Sequence, residues 1–480
     1  MRRQVWLGLV ILALAGSLRF VNLNSLPIFA DESIYVRWAQ VMRAEASLRF
    51  LPLSDGKQPL FMWVTIPFLK LFSDPLLAAR FLSGLTGLGT VAGVFVLTEL
   101  LFKKRSISIL AAILAALTPY LVFFNRMALA DSMLTMFMLW TLILSLLSIK
   151  HDRWDMAMLA GFTFGFAWLT KSPAVFMFGL LPLGLLMSVP KFKHFGYLLT
   201  TYLIGLGMYN ILRLGPEFSQ IALRNKDYVF SLNQILQHPL DPFIPHLRDS
   251  ATFYWYFLTP IGLTLAILGI FMGKLKSWRE KFILAAWFLV PILVQSAIAK
   301  QFTARYLLFT VPYAIILIAW AANRFHKAIL LLIILPTLYL DYLYLYNLAK
   351  APLPRIERSG YLEEWTAGQG IREIAVYLQN LRGPIVVGSE GYFGTPFDGL
   401  QLYLNNYPNV RVVGVGVWID SVSEKLTSAL ADNQVFLVVN SDRLHADPSK
   451  LGLKLIASYP KGVRPDGTQQ KLLFFEVMPR

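Results

Sequence analysis

The sequence predicts a polytopic α-helical membrane protein that carries an α/β domain at its C-terminal end. The chain of 480 residues is 56% hydrophobic and only 15% charged, whereas soluble proteins are about 25% charged. Its formal net charge of +16 lies almost entirely within residues 1–349, because residues 350–480 are nearly neutral. Positive charge among apolar stretches is typical of membrane surfaces rather than of a nucleic-acid groove. We therefore expect membrane lipid, and no nucleic acid, among the partners.

Apolar stretches of about 20 residues can cross a bilayer as helices. The chain contains about eleven such stretches, at 4–22, 76–102, 107–124, 132–149, 156–170, 173–189, 196–213, 252–272, 282–299, 305–322 and 328–347. The first lacks a small-residue cleavage site, so we expect a retained helix and not a cleaved signal peptide. The absence of cysteine excludes thiol catalysis and a disulfide scaffold.

Basic clusters set the predicted orientation. They occur in alternate short connections, at Arg2/Arg3, Lys103-Lys104-Arg105, Lys150/Arg153, Lys191/Lys193, Lys274/Lys276/Arg279/Lys281 and Arg324/Lys327. Eleven spans place all of them on one side, which the positive-inside rule makes the cytoplasm. We therefore predict a plasma-membrane protein with a cytoplasmic N-terminus. Its transmembrane domain, residues 1–349, then has two outer loops, at 23–75 and 214–250.

Residues 350–480 are predicted to form a small extracytoplasmic α/β domain. Short apolar runs typical of buried strands lie at 384–390, 410–416, 434–440, 453–460 and 470–477, and helical patterns lie at 368–378, 397–406 and 421–432. Runs of this length, separated by amphipathic segments, favour a sheet covered by helices. The glycines near the strand ends are too sparse for a nucleotide-binding fingerprint.

The first outer loop contains a pair of carboxylates, Asp31 and Glu32. Apolar residues at helical spacing follow them, which predicts an amphipathic surface helix over 33–49. The helix dipole favours charged carboxylates at its N-terminus. Asp31 or Glu32 is therefore either a general base above the bilayer or only a cap of this helix.

A second carboxylate, Asp131, lies in the short outer connection after 107–124. It is either an N-cap of the next span or a site residue. Isolated cations fall at the same predicted outer edge: Lys57, Lys171, Lys300 and Arg305. Each is either a snorkelling anchor or a ligand for an anionic head group. Carboxylates and cations on one face suit a substrate with an anionic head group and a lipid tail.

Histidines offer little evidence for a metal site. Of the six histidines, His238 and His246 lie in the outer loop 214–250, near Asp241 and Asp249. Their spacing fits no standard zinc pattern. The sequence therefore requires no cofactor and assigns no metal ligands, although a divalent metal remains compatible with it.

Several motifs, in this order, resemble the GT-C membrane glycosyltransferases. Within that group they are most similar to family 39, the protein O-mannosyltransferases and lipid A aminoarabinose transferases. The matching pieces are Arg19, Asp31-Glu32, Lys57-Gln58-Pro59-Leu60, Arg126…Asp131, Gly161-x-x-x-Gly165…Lys171, Arg305-Tyr306 and Tyr361…Trp365-Thr-Ala-Gly368. The resemblance covers about residues 1–380. It implies an inverting transfer of a sugar from a polyprenyl-phosphate donor to an acceptor at the outer membrane face.

The resemblance also implies residue roles on the acceptor side. Asp31 would take the proton of the acceptor hydroxyl as that hydroxyl attacks the anomeric carbon. Glu32 and Asp131 would orient the acceptor or the sugar, and Asp131 is the second candidate for the base. The acceptor itself is a protein, a lipid A-like glycolipid or a cell-envelope glycan.

On the donor side, the leaving group is a phosphate, which needs cations and not a proton. Lys57 and Arg305 would bind it and stabilise its developing charge, with a hydrogen bond from Tyr306. Arg19 and Arg126 would hold the carboxylates or supplement the phosphate site.

Two other function classes are compatible with a polytopic chain. A lipid or sugar flippase or transporter would place ionisable residues in mid-span and pair two halves of the chain, whereas nearly all charges here lie at span ends. A membrane scaffold displaying the C-terminal domain gives no reason for carboxylates and cations to share a face.

Overall fold

A computed structural model describes residues 2–273 and 277–479, and for residues 2–5 only the backbone. Lys274 and Lys276, and the side chains of Arg2 and Arg3, belong to predicted basic clusters and lie outside the described residues.

Helices make up most of the chain. In order they are α1 Arg2–Phe20, α2 Ala30–Ala44, α3 Leu60–Phe68, α4 Pro75–Phe102, α5 Arg105–Leu117, α6 Pro119–Phe124, α7 Ala130–His151, α8 Trp154–Thr170, α9 Phe176–Leu180, α10 Phe192–Tyr209, α11 Gln220–Tyr228, α12 Leu232–Gln237, α13 Phe243–Leu258, α14 Pro260–Phe271, α15 Trp278–Ile298, α16 Val311–Ala322, α17 Ala328–Tyr346, α18 Arg355–Arg358, α19 Ile371–Gln379, α20 Phe397–Leu404 and α21 Glu424–Ala429. Short 3₁₀ helices at Leu51–Asp55, Ser172–Val175 and Ala304–Thr310 matter for the site.

The strands are concentrated in the C-terminal part. They are β1 Ile28–Phe29, β2 Ala367–Gly368, β3 Ile385–Ser389, β4 Val410–Gly414, β5 Gln434–Asn440, β6 Leu453–Val463 and β7 Gln469–Val477. By packing, the chain divides into two compact units. The first comprises Met1–Leu23, Ser47–Val64 and Arg80–Pro354, and the second comprises Asn24–Ala46, Thr65–Ala79 and Arg355–Arg480. The domain limits at 349 and 350 stay a prediction.

Seven helices of the described residues are long and apolar enough to cross a membrane, and the bent pair α13–α14 makes an eighth if it is one span. This confirms a polytopic helical membrane protein. The expected stretch 156–170 is the single helix α8, whereas the stretches 107–124 and 173–189 form shorter helical pieces. The first of these divides at Pro119, since a residue before proline is driven out of the helical conformation. The pair α13–α14 bends by 111° at Thr259-Pro260.

Within the first unit, glycines allow helices to approach closely. A Cβ atom added to Gly161 of α8 would lie 2.7 Å from Ile204 of α10, and one on Gly205 would lie 2.4 Å from Phe164. Small residues at such contacts let helices pack in a membrane, where dispersion replaces the hydrophobic effect. The spacing Gly161-x-x-x-Gly165 therefore serves the contact between α8 and α10. At the centre of the unit, every residue of α16 is buried.

The second unit contains a five-stranded sheet of order β4-β3-β5-β7-β6. β3 pairs in parallel with β4 and β5, and β7 pairs antiparallel with β5 and β6. The predicted strands and helices of residues 350–480 are all present, which confirms a C-terminal α/β domain. β3 and β5 are nearly fully buried, as expected for a sheet covered on both faces.

The predicted helix 33–49 is α2, which begins three residues earlier and ends at Ala44. α2 packs within the second unit against α20. Arg37 donates hydrogen bonds to Gln401 and Asn405, and Gln40 donates to the carbonyl of Leu402. Polar side chains of α2 therefore bind α20, and the position of α2 along a membrane surface stays a prediction.

Candidate functional site

A buried ion pair joins two neighbouring helices of the first unit. Nζ of Lys171 donates a hydrogen bond to Oδ1 of Asp131 over 2.6 Å, and the carboxylate side chain is only 5% exposed. α7 and α8 form a tight hairpin that turns at Asp152, whose φ is 56°. The start of α7 and the end of α8 therefore lie together, which brings Asp131 to Lys171. A carboxylate in a first turn and a cation after a last turn both suit the helix dipoles.

An aromatic ring lies beside this ion pair. The Tyr306 ring centroid is 4.4 Å from Nζ of Lys171 and 5.3 Å from the guanidinium of Arg305. Tyr120 of α6 holds the 3₁₀ helix Ala304–Thr310, because its phenol donates a hydrogen bond to the carbonyl of Ala304 over 2.7 Å. Arg305 and Tyr306 were both predicted to bind the donor phosphate, and in the structure Lys171 lies next to them.

The predicted phosphate-binding residue Lys57 lies in the loop before α3. Its Nζ is 3.0 Å from Asp55, which also pairs with Arg224 of α11 at 3.2 Å. The next residue, Gln58, donates a hydrogen bond to Oγ of Ser172 over 2.8 Å. The Lys57 loop is therefore held against the segment that carries Lys171.

Taken together, one region of the first unit contains Lys57, Lys171, Arg305, Tyr306 and Asp131. With the neighbouring pair Asp55 and Arg224 included, the cations still outnumber the carboxylates, so the region suits an anionic group. The carboxylate of Asp131 accepts a hydrogen bond from Lys171, so one of its two oxygens is already engaged. Lys171 and Arg224 were not assigned to the site from the sequence. Lys171 did carry a signal, since it interrupts an apolar run of more than 30 residues.

The carboxylates of α2 belong to the second unit and differ in environment. Glu32 is fully buried, and its Oε2 accepts a hydrogen bond from the backbone N–H of Phe29 over 3.0 Å. Asp31 is partly exposed in the same first turn. The contact of Glu32 supports the capping alternative for that residue. Asp31 is the more accessible of the two for chemistry.

Arg19 and Arg126 hold the ends of membrane helices. Arg19 is fully buried and donates to the carbonyls of Ala115 and Ala116, in the last turn of α5. Arg126 donates to the carbonyl of Leu18, in the last turn of α1, and to those of Val21 and Asn22, just after that helix. A cation at a helix C-terminus satisfies carbonyls that have no partner within the helix. These contacts support a structural role for both arginines.

A buried carboxylate accompanies these arginines. Asp341 of α17 interacts electrostatically with Arg19 and Arg126. Neither of its oxygens has a hydrogen-bond partner within residues 2–273 and 277–479. Asp341 was not among the site residues predicted from the sequence.

No group of three or more histidine, aspartate or glutamate side chains in the described part of the chain could hold a metal ion. The pair His238–Asp241 is separated by 3.2 Å, and both side chains are largely exposed. Two groups on a solvent-exposed surface make an incomplete coordination shell.

Residues 56–210 match the family model described as dolichyl-phosphate-mannose-protein mannosyltransferase, PMT_2. The whole chain also superposes on ArnT from Cupriavidus metallidurans in the apo state. The TM-score is 0.65 at 14% identity, and the match covers 100% of this chain and 99% of that chain. The chain has the GT-C glycosyltransferase fold.

Two further structures share this GT-C fold. ArnT from Cupriavidus metallidurans bound to undecaprenyl phosphate matches with a TM-score of 0.61 at 15% identity, covering 98% of each chain. The apo oligosaccharyltransferase of Archaeoglobus fulgidus matches with a TM-score of 0.50 at 12% identity, covering 91% of this chain and 69% of that chain. A comparison with curated proteins gives no match. The predicted GT-C fold of an integral membrane protein is therefore confirmed.

Proposed function

We propose that this GT-C protein transfers a sugar from a polyprenyl-phosphate donor to an acceptor hydroxyl or phosphate at the outer membrane face, with inversion. The observation that carries the proposal is the grouping of Lys57, Lys171, Arg305 and Tyr306 beside Asp131 in a GT-C fold. Undecaprenyl phosphate bound to ArnT supports a donor of this chemistry. The sidedness rests on the positive-inside pattern.

The proposed reaction is a single displacement. The acceptor oxygen forms a bond to the anomeric carbon and gives its proton to the Asp31 carboxylate. The bond from that carbon to the phosphate oxygen breaks, and its electron pair stays on polyprenyl phosphate. We assign the base to Asp31 from its Asp-Glu motif and its accessibility, in preference to Asp131, which is paired with Lys171.

On the donor side, Lys57 and Arg305 bind the phosphate. Cations stabilise the charge that develops on the leaving group without transferring a proton. The side chain of Arg305 is mostly removed from solvent, and its interaction with an anion is stronger there than in water. The ring of Tyr306 lies within 5.3 Å of both Arg305 and Lys171, and its phenol is assigned to the same region.

The test uses the purified full chain in detergent with radiolabelled polyprenyl-phosphate sugars and an envelope extract. We expect transfer or slow donor hydrolysis that is lost in Asp31→Asn and falls at least tenfold in Arg305→Ala. The control is Lys150→Gln, at the opposite end of α7 from Asp131, which should keep its activity. Activity that survives Asp31→Asn contradicts the assignment of the base. No consumption of any donor, together with lipid movement in reconstituted vesicles, contradicts the transferase itself.

A further inference from the structure

The parallel strands of the second unit end at a place where strand order reverses. The chain runs from β3 to β4 on one side and then crosses to β5 on the other side of β3. In open α/β sheets, ligands bind outside the carboxyl ends of the strands at such a reversal. The loops at this edge are 390–396, 415–423 and 441–446. Loop 390–396 packs against α2, because a Cβ atom added to Gly394 would lie 3.3 Å from that of Ala30. No residue of these three loops was assigned to the site described above.

Backbone hydrogen bonds hold these loops together. The N–H of Gly391 donates to the carbonyl of Gly416 over 2.7 Å. The N–H of Ile419 donates to Arg443, and the N–H of His445 donates back to Ile419, over 2.8 and 3.1 Å. Loops tied in this way present their side chains from a fixed frame, which lowers the cost of ordering them around a ligand.

Large aromatic side chains at this edge are exposed. Tyr392, Phe393 and Trp418 are 59%, 61% and 57% exposed. The guanidinium of Arg443 lies 4.8 Å from the ring centroid of Trp365 and 5.8 Å from that of Trp418. Exposed aromatic groups beside polar ones mark a recognition surface more often than a packing defect.

A buried polar network lies beneath the aromatic side chains. Glu390 is 1% exposed, and its carboxylate accepts from the backbone N–H and the side-chain amide of Asn440, each over 2.6 Å. Nε of Arg443 is 3.6 Å from the same carboxylate. Burial raises the pKa of Glu390, although the hydrogen bonds from Asn440 act in the opposite direction. In the described part of the chain, Oδ1 of Asn440 is buried without a hydrogen-bond partner.

The cations at this edge already have partners, since Nε of Arg443 lies 3.6 Å from Glu390 and Nζ of Lys425 lies 6.0 Å from the ring centroid of Tyr392. The backbone N–H of Gly394, before α20, donates to the carboxylate of Asp398 over 2.6 Å. The backbone N–H of Asn440, after β5, donates to Glu390. Main-chain amides at these positions are the usual ligands of a phosphate. Here carboxylates accept from them, which leaves a surface suited to a neutral molecule.

We propose that the carboxyl edge of β3, β4 and β5 is a binding site for a neutral saccharide. The C–H groups on the apolar face of a sugar ring carry partial positive charge and match the negative ring faces of Tyr392 and of the exposed part of Trp418. Trp418 also stacks on His445, with ring centroids 5.0 Å apart. Arg443 supplies hydrogen bonds to hydroxyl groups. Binding at this edge is independent of glycosyl transfer. If the saccharide is the acceptor glycan of the transfer reaction, that role rests on the proposed function.

The test is saturation-transfer difference NMR with the full chain in detergent. The probes are methyl glycosides of mannose, glucose, galactose and N-acetylglucosamine, with uridine monophosphate and inorganic phosphate as anionic competitors. We expect at least one glycoside to receive saturation, and we expect Trp418→Ala to reduce this signal at least fivefold. The matched control is Tyr407→Ala, a half-exposed aromatic just before β4, at the opposite end of the strands.

Three results would overturn the saccharide site. These are the absence of saturation of every glycoside, an equal signal in the native chain and Trp418→Ala, and displacement of the glycoside by the anionic competitors at equal concentration. Trp418 is mostly exposed, so Trp418→Ala should leave the thermal midpoint of the protein unchanged. If Trp418→Ala lowers that midpoint, Arg443→Gln is the second variant. The measurement needs no donor. Failure of glycosyl transfer and failure of this site are therefore separate results.

Discussion

Neutralising the two members of the Asp131–Lys171 pair should change the affinity for a lipid phosphate in opposite directions. The charges lie 2.6 Å apart and largely cancel for an anion nearby. Asp131→Asn removes the negative charge and exposes the anion to an uncompensated Lys171, so affinity should rise. Lys171→Gln leaves a buried carboxylate that repels the anion, so affinity should fall. The double variant should return close to the native affinity.

The size of the effect follows from the distances at Tyr306. Lys171 and Arg305 lie 4.4 and 5.3 Å from its ring centroid, so a phosphate bound beside this ring is roughly 8 Å from the ion pair. One unit charge at that distance, at an effective dielectric constant of about 40, contributes about 1 kcal/mol. Each single substitution should therefore change the dissociation constant about fivefold. The change should shrink in high salt, because the screening length is about 3 Å at 1 M.

The assay is binding of undecaprenyl phosphate to the purified chain, measured by native mass spectrometry and by calorimetry at low and high salt. Lys150→Gln is the control, since Lys150 ends the same helix about 30 Å away. Asp131→Asn should also lower glycosyl transfer if the carboxylate orients a substrate, even as it tightens phosphate binding. Equal weakening by both single substitutions, or a double variant whose affinity stays far from the native value, would refute the reasoning.

Three further predictions concern the scaffold of the site and the second unit. Gln58→Leu removes the hydrogen bond to Ser172, a loss of about 1 kcal/mol, and should weaken the binding of undecaprenyl phosphate about fivefold. Adding Ser172→Ala to this variant should weaken binding no further, and additive losses would contradict the contact. Tyr120→Phe leaves the buried carbonyl of Ala304 without its donor and should cost about 1–3 kcal/mol, seen as a lower thermal midpoint; an unchanged midpoint would contradict it. Burial raises the pKa of Asp398 from 3.8 to about 6, so the folded chain binds more protons than the unfolded chain between these values. The free energy of unfolding of the second unit should then fall by at most about 3 kcal/mol as pH rises from about 4 to 6. Hydrogen exchange of the α20 amides should show this pH dependence in the native chain and not in Asp398→Asn. Equal pH dependence in the two proteins would contradict the prediction.

The sequence by itself determined the class of the protein. Hydropathic length decides which segments can cross a bilayer, and this is a local property that each segment carries alone. The strands of the C-terminal domain were equally local, because buried strands are short apolar runs bounded by turn residues. The stretches 107–124 and 252–272 were predicted as continuous spans, and the structure divides them at Pro119 and, with a bend of 111°, at Thr259-Pro260.

Only the tertiary structure decided which charges meet. Asp131 and Lys171 are 40 positions apart, and their contact depends on the hairpin of α7 and α8 turning at Asp152. Gln58 and Ser172 are 114 positions apart, and nothing in either segment specifies its partner. Pairing over such separations depends on the packing of whole helices, which composition and spacing do not record.

The same distinction applies to Arg19 and Arg126. The family resemblance implied that these two arginines hold the carboxylates or supplement the phosphate site. The structure shows each guanidinium hydrogen-bonded to carbonyls at the end of a membrane helix. A buried cation must find acceptors wherever the fold places it. The sequence therefore determined that these charges exist near the membrane edge, and the packing of α1 and α5 around them decided what they hold.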